Sequence, residues 1–260
     1  MKDKYIIGAV IKALGTLKQF DSQNKELSLT ELSNKSGINK SSMLRILASL
    51  ESEGFIKYNE EKRKYRLGIT IFNLANTAYE FLDIKRVCAP ILKRTAQETQ
   101  IMFHLAVVED DNIVIIDKVW PNEHFDMIAL VSYVGGTTPL HCTGVGKVLA
   151  AYSTQKQLDK LVSNCDFEKH SEATVTSKQA FLDHLPVVRQ QGYAFNDCEN
   201  EPYLRCITRP VFNSEGKVIA AVSLSGLKDV ITDEKFEFYN NISRDLSKKL
   251  SREFGFNLKK

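Results

Sequence analysis

The chain has 260 residues, 43% of them hydrophobic, and 35 Lys/Arg against 32 Asp/Glu give a formal net charge of +3. That is enough apolar material for two separate cores, and without a run of about 18 apolar residues it excludes a transmembrane helix. Five cysteines (Cys88, Cys142, Cys165, Cys198 and Cys206) without C-x-x-C spacing exclude a disulfide framework and a zinc knuckle. They predict a reducing, cytoplasmic setting, and the start Met1-Lys2-Asp3-Lys4 leads into an amphipathic segment that does not read as a signal peptide.

The first predicted element is a helix over 5–20, with Ile7, Val10, Ile11, Leu14 and Leu17 as its expected buried stripe. Ser28-Leu29-Thr30-Glu31 then has the capping-box form, in which a hydroxyl and a carboxylate close the first helical amides reciprocally. Gly37 stops this short helix, and Asn39 caps the next one, over 40–53, in which Met43, Leu44, Leu47 and Leu50 are expected to face inward. Lys40, Ser41, Ser42, Arg45 and Ser49 are left on or near the other side, a polar, hydrogen-bonding and basic set. After Gly54, residues 55–58 and 64–67 alternate as two strands around a turn holding Lys62 and Arg63, with Lys64 opening the second strand. A helix carrying such groups fits the major groove, and a basic hairpin beside it lies on phosphates. The pattern is that of a winged helix-turn-helix.

Helix pairs joined by a glycine occur in many proteins that never touch nucleic acid, so charge has to decide. Residues 1–68 hold 13 Lys/Arg against 8 Asp/Glu, a net of +5, while the remaining 22 against 24 give −2. All the net positive charge therefore sits on the segment with the reading helix, as phosphate neutralisation requires.

Helical spacing returns over 69–79 (Ile71, Leu74, Ala75, Ala78), which predicts a linker helix at 69–82 between a head at 1–68 and a second domain at 83–260. A helix over 84–99 contains Pro90, which implies a kink or break near Ala89. From Ile101 the period becomes that of strands: 101–108 and 113–120 form a hairpin, and 127–131 a short third strand. Helices follow at 144–152, 154–163 and 177–191, strands at 193–196, 204–212 and 217–225, and a last helix at 233–254. About six strands with helices packed on them is an α+β sensor-like architecture.

Gly144-Val145-Gly146 at a predicted helix start offers backbone N–H groups to a carboxylate, though glycine at a plain strand-to-helix turn needs no ligand. It is no Walker motif, because the lysine follows too soon. Ser223 and Ser225 share one strand face, and inward hydroxyls need partners that a ligand, water or backbone can supply. His104, His141-Cys142, Cys198 and Cys206 raise the question of a metal or oxidant site, but their spacing matches no known ligand pattern. A serine or cysteine nucleophile lacks both G-x-S-x-G and a placed histidine, and no cofactor fingerprint is present.

Pro139-Leu140-His141-Cys142-Thr143-Gly144-Val145-Gly146-Lys147 resembles a signature of the IclR family of bacterial transcription regulators. Glu199-Asn200-Glu201-Pro202-Tyr203-Leu204-Arg205-Cys206-Ile207 is similar to its second signature, and the strand ending Ser223-Leu224-Ser225-Gly226 to its third. The head fits as well, through 41–47 and Tyr65-Arg66-Leu67-Gly68, so the likeness spans nearly the whole chain. The resemblance implies a homodimer or dimer of dimers, a winged helix-turn-helix head and a C-terminal α/β, GAF-like effector-binding domain. It further implies an effector carboxylate on the amides of Gly144 and Val145. Its other oxygens would meet Asn196 or Asp197, Cys206, Ser223 and Ser225, with Met127, Leu130 and Leu204 as apolar walls. The chain departs from the family pattern at Asn196, at Cys198 within the acidic run, at Tyr203 where glycine is usual, and at Thr208-Arg209 in place of small residues. A neutral Asn196 would tolerate a more anionic ligand than aspartate.

These features predict a ligand-responsive regulator that binds double-stranded operator DNA through Lys40, Ser41, Ser42, Arg45, Lys62, Arg63 and Lys64. Repression is the expected sense, with no cofactor, no metal and no membrane partner. The competing expectation is a metal- or redox-responsive sensor, or a small-molecule enzyme, using the helix-turn-helix for protein contacts.

Overall fold

A computed structural model describes residues 6–21, 24–80, 83–121 and 132–256, with the side chains of 75–80 and 83 left aside. The chain divides into two compact units, Met1–Leu82 and Asp83–Lys260.

The first unit opens with α1 (Gly8–Leu17), α2 (Leu29–Ser36) and α3 (Lys40–Ser52). The capping box forms: Ser28 Oγ accepts from Glu31 N at 3.3 Å, and Glu31 takes the Ser28 amide at 2.7 Å. Gly37 ends α2 at φ 67°, a left-handed conformation that a Cβ would oppose. Asn39 Oδ1 accepts from Ser42 N at 2.9 Å and so starts α3. Strands β1 (Ile56–Asn59) and β2 (Lys64–Leu67) pair antiparallel from Ile56↔Leu67 to Asn59↔Lys64, and Leu27 bridges to Tyr65 on the far edge. Phe20, Leu27, Leu32, Met43, Leu47, Leu50, Ile56 and Tyr65 form the core of this head.

Two expectations for this unit are corrected. Ile7, Val10, Ile11 and Leu14 do not face the core; they are between 49% and 65% exposed. The helix instead docks through Ala13, Thr16, Leu17 and Phe20, with Thr16 Oγ1 bonded to Lys12 O at 2.8 Å and 3.8 Å from Met43 Sδ. Both sets recur at i, i+3, i+4, i+7, so periodicity alone cannot tell which stripe meets its own domain. Leu44 is 51% exposed, because the stripe of α3 runs through Met43, Leu47 and Leu50 and turns Leu44 outward. Helix α4 (Ile69–Glu80) closes the unit.

The second unit is built on a six-stranded sheet ordered β5-β4-β3-β8-β7-β6, antiparallel at every pairing. Strands β3 (Met102–Glu109) and β4 (Asn112–Val119) form the expected hairpin, with positive φ at both Asp110 and Asp111 as a two-residue turn of the primed type requires. The short β5 (Thr137–Thr138) pairs with β4; the strand expected at 127–131 lies outside the described residues. Strands β6 (Ala194–Asp197), β7 (Leu204–Phe212) and β8 (Val218–Leu227) complete the sheet.

Helices α6 (Gly144–Tyr152), α7 (Gln155–Ser163) and α8 (Lys178–Gln191) belong to the core on one face, where Val148, Leu149, Phe181 and Leu185 meet Ala106, Ile113, Ile115 and Ala221. Helices α5 (Asp83–Thr99) and α9 (Phe236–Glu253) pack on β3, β4, β7 and β8 and on each other. The break expected near Ala89 is absent: α5 runs through Pro90, and the hydrogen bond that proline removes is outweighed by burial of Cys88, Leu92 and Ala96 on either side of it.

Candidate functional sites

On α3 of the head, Lys40, Ser41 and Arg45 are exposed and Ser42 half-buried. Ser41 Oγ donates to Asn39 Oδ1 at 2.8 Å, so the cap that starts the helix also holds this hydroxyl. In the wing, Lys62 pairs with Glu26 at 2.9 Å and Lys64 lies 4.0 Å from Glu31, whereas Arg63, at φ 52° on the turn, has no ion pair among the described residues. Exposed pairs of this kind contribute about 0–1 kcal/mol, so neither holds its lysine strongly. Lys57 and Arg66 face each other across the hairpin, both exposed, and add basic surface that the list of expected contacts omitted.

In the second unit a cavity of about 50 Å³, the volume of a few water positions, opens beside the start of α6. Gly144, Val145, Asn196, Leu204, Cys206, Ser223 and Ser225 all line it, so the structure brings together most of the residues singled out from the sequence. Thr143 caps α6: its Oγ1 accepts from Gly146 N at 3.1 Å and donates to Pro139 O at 2.6 Å. The amides of Gly144 and Val145, the first two donors of the helix, make no hydrogen bond among the described residues. Gly144 also packs tightly, since a Cβ there would stand 2.1 Å from Thr208 Oγ1. Close helix–strand approach and an open pair of donors therefore coexist at this turn.

The hydroxyls do not wait for a ligand. Thr208 Oγ1 donates to Ser223 Oγ at 2.9 Å, Ser223 and Ser225 Oγ are 3.3 Å apart, and Ser225 Oγ lies 3.2 Å from His104 Nδ1. Ser132 Oγ, 3.4 Å from His104 Nε2, ends the chain. Burial and the nearby Lys118 depress the His104 pKa to about 3, so the imidazole is neutral. Burial pushes the Cys206 thiol up to about 12, which keeps it protonated. Glu201, also on the cavity wall, is held above the ordinary carboxyl range by burial.

Two expectations change here. Asp197 does not line the cavity: it forms a fork with Arg205, at 2.7 and 3.2 Å, at the end of the β6–β7 pairing, and that bond holds its carboxyl below its ordinary value. Asn196 lines the cavity, and both ends of its amide are already engaged: the nitrogen donates to Cys142 O and the oxygen accepts from Glu199 N at 3.2 Å, which ties two loops together. Met127 and Leu130 lie outside the described residues. His104, Ser132, Thr138, Asn200 and Glu201 line the cavity unforeseen, although Asn200 and Glu201 stand within the second signature and His104 is a polar residue in an otherwise apolar strand.

Lys147 and Glu199, from two of the signatures, form a buried ion pair beneath α6, with Glu199 Oε2 unpartnered. Among the described residues His104, His141, Cys142, Cys198 and Cys206 do not gather as one cluster, in keeping with spacing that matches no ligand pattern. His104 and Cys206 face the cavity, while His141 and Cys142 approach His170, and His141 approaches Cys165 and Asp166.

A winged helix-turn-helix joined to a sheet domain with a small polar cavity defines a ligand-responsive, DNA-binding transcription regulator. Residues 9–60 match the IclR helix-turn-helix domain and residues 76–252 the bacterial transcriptional regulator IclR C-terminal domain. The chain belongs to the IclR family of bacterial transcription regulators, a family of DNA-binding proteins and not of enzymes. It is 32% identical over 253 residues to the transcriptional regulator XynR of Escherichia coli, covering 96% of this chain and 98% of that one. To KdgR of the same organism it is 29% identical, covering 96% and 94%. Its fold is similar to that of an IclR homologue from Microbacterium hydrocarbonoxydans complexed with 4-hydroxybenzoate, with a TM-score of 0.82 at 20% identity over 95% of this chain and 99% of that one. The metal- or redox-sensing alternative finds no support in these relatives.

Proposed function

We propose that the second domain binds a small organic acid in the cavity beside α6, and that binding lowers the affinity of the head for its operator, so that the protein acts as a repressor. The observation that carries this is the pair of open amides at Gly144 and Val145, two residues that line a cavity edged by hydroxyls. Helix-start amides favour a carboxylate, and the relay from Thr208 to His104 presents reorientable O–H groups to its remaining oxygens. The 4-hydroxybenzoate held by the Microbacterium homologue is an acid of this class. In the head, Lys40, Ser41, Ser42 and Arg45 would meet the major groove, and Lys62, Arg63 and Lys64 the phosphates.

The working form is a homodimer or a dimer of dimers. The exposed stripe of α1, from Ile7 to Leu14, and Ile69, Phe72 and Leu74 of α4 leave apolar surface that a second copy would cover. Two heads at fixed spacing match a palindromic operator, and the linker at 69–82 would carry the effector's preference for one dimer geometry to the heads. The site of action is the cytoplasm, and no helix among the described residues is long and apolar enough to cross a membrane. A mobility shift with DNA from upstream of the protein's own gene, with and without candidate keto, sugar and aromatic acids, tests the proposal. Release of the DNA by one of these acids is expected, and DNA binding indifferent to all of them would refute it.

A further inference from the structure

Thr208 and Arg209 are neighbours on β7 and so project to opposite faces of the sheet. Thr208 bonds to Ser223 in the wall of the cavity beside α6; Arg209 packs against α9 and is only 8% exposed. Its Nε donates to Ser243 Oγ at 3.0 Å, and its terminal nitrogens to Gly192 O at 3.2 Å and Asn240 Oδ1 at 2.6 Å, all of them neutral acceptors. The guanidinium also lies 4.9 Å from the centre of the Tyr193 ring. No carboxylate pairs with it among the described residues, and Asp245, on the exposed side of α9, forms no ion pair with it. A charge buried in this way normally has a counter-ion, because neutral acceptors replace water without cancelling the charge.

Beside Arg209 opens a second cavity, of about 340 Å³. Arg244, Lys248 and Arg252 line it from exposed positions one turn apart on α9, and no acidic residue lines it among the described residues. Burial, with Arg244 nearby, holds the Arg209 guanidinium below its ordinary pKa, against the smaller opposing pull of Tyr193, Tyr152 and Asp245. The floor is aromatic: Phe212 stacks on Phe256 at 4.9 Å, and Tyr152 meets Phe212 edge-on at 5.6 Å.

We infer that this cavity is a second ligand site, for a small molecule bearing a phosphate group on a flat or apolar body. Four cations match a doubly charged tetrahedral oxyanion better than a single carboxylate, and the guanidinium fork of Arg209 has N–H groups left after its three protein contacts. The aromatic floor takes the body of the ligand. This site shares no lining residue with the carboxylate cavity and does not depend on it.

Calorimetric titration of the full chain with phenyl phosphate and with inorganic phosphate, at ionic strength held constant with chloride, tests the inference. One saturable site per chain is expected, tighter for phenyl phosphate than for inorganic phosphate. Arg252→Glu and Lys248→Glu, at exposed positions where folding is not at stake, should each weaken phenyl phosphate at least tenfold, and Arg209→Gln should abolish its binding. Absence of saturable binding, or affinity unchanged in Arg252→Glu and Lys248→Glu, would overturn the site. Equal affinity for the two probes would overturn the aromatic half of the assignment.

Discussion

Residue 144 has no room for a side chain because Thr208 stands against it: a Cβ would come within 2.1 Å of the Thr208 hydroxyl and 3.0 Å of its Cβ. Gly144→Ala therefore overpacks the joint between α6 and β7 and should destabilise the domain by about 1–3 kcal/mol. Thr208→Ala removes the closer of the two atoms and, with it, the hydrogen bond to Ser223. The two changes should couple, so that the double variant is clearly more stable than the sum of the singles predicts. Thermal melts of the four proteins measure this, and simple additivity would show that the contact is relieved elsewhere.

Glu201 gives the organic-acid site a pH dependence with a definite sign. Burial already raises its pKa, partly opposed by a hydrogen bond with Asn200 and by Lys118 and His170, and an incoming carboxylate raises it further. Ligand binding then takes up protons on Glu201, and affinity strengthens as pH falls through its raised pKa while the ligand stays ionised. His104 adds nothing in this range, since burial has moved its titration down to about 3. Calorimetry in buffers of different ionisation heat should show proton uptake, and Glu201→Gln should flatten the profile while tightening binding. Affinity that increases with pH would contradict the placement of Glu201.

In the head, the structure separates cations that the sequence treats alike. Arg45→Ala should cost about 1–3 kcal/mol of specific operator affinity if it reads a base, with relaxed preference at one position in each half-site. Arg63 has no acid partner among the described residues, whereas Lys62 must leave Glu26 to reach a phosphate. Arg63→Ala should therefore weaken binding more than Lys62→Ala, and both should flatten the salt dependence evenly across sequences. Mobility shifts over a salt series check the order. A chain with Lys40, Arg45 and Arg63 all replaced by alanine that still binds normally would end the assignment.

What could be read from the sequence was local. Ser28–Glu31, Asn39 and Gly37 announce caps and stops through their own side chains or lack of one, and the helix-turn-helix follows from them. The convergence of Gly144, Ser223 and Ser225 came from motifs, whereas the partners of Asp197 and Asn196 did not. Arg205 claims Asp197 from across a strand pair, and Cys142 claims Asn196 from a loop 54 positions away, contacts that no spacing rule anticipates. Arg209 is a similar case: as a second arginine in a largely apolar strand it looks like an irregularity until Ser243 and Asn240 of α9 are seen against it.

The exposed stripe of α1 carries the last prediction. Val10, Ile11 and Leu14 have about half their surface in water, an arrangement that a helix in an isolated head has no reason to keep. Covering them with the same stripe of a second copy satisfies both helices at once, as a two-fold contact does. Val10→Asp should then shift sedimentation toward monomer at micromolar concentration and weaken operator binding, while the head keeps its melting behaviour because its core uses Thr16 and Leu17 instead. Leu74→Asp on α4 tests a different consequence, loss of the effector's influence on DNA with the sensor fold intact. If the unmodified chain sediments as a monomer and binds DNA independently of any acid, the dimer mechanism fails. If Val10→Asp remains dimeric, the contact between copies lies on another surface.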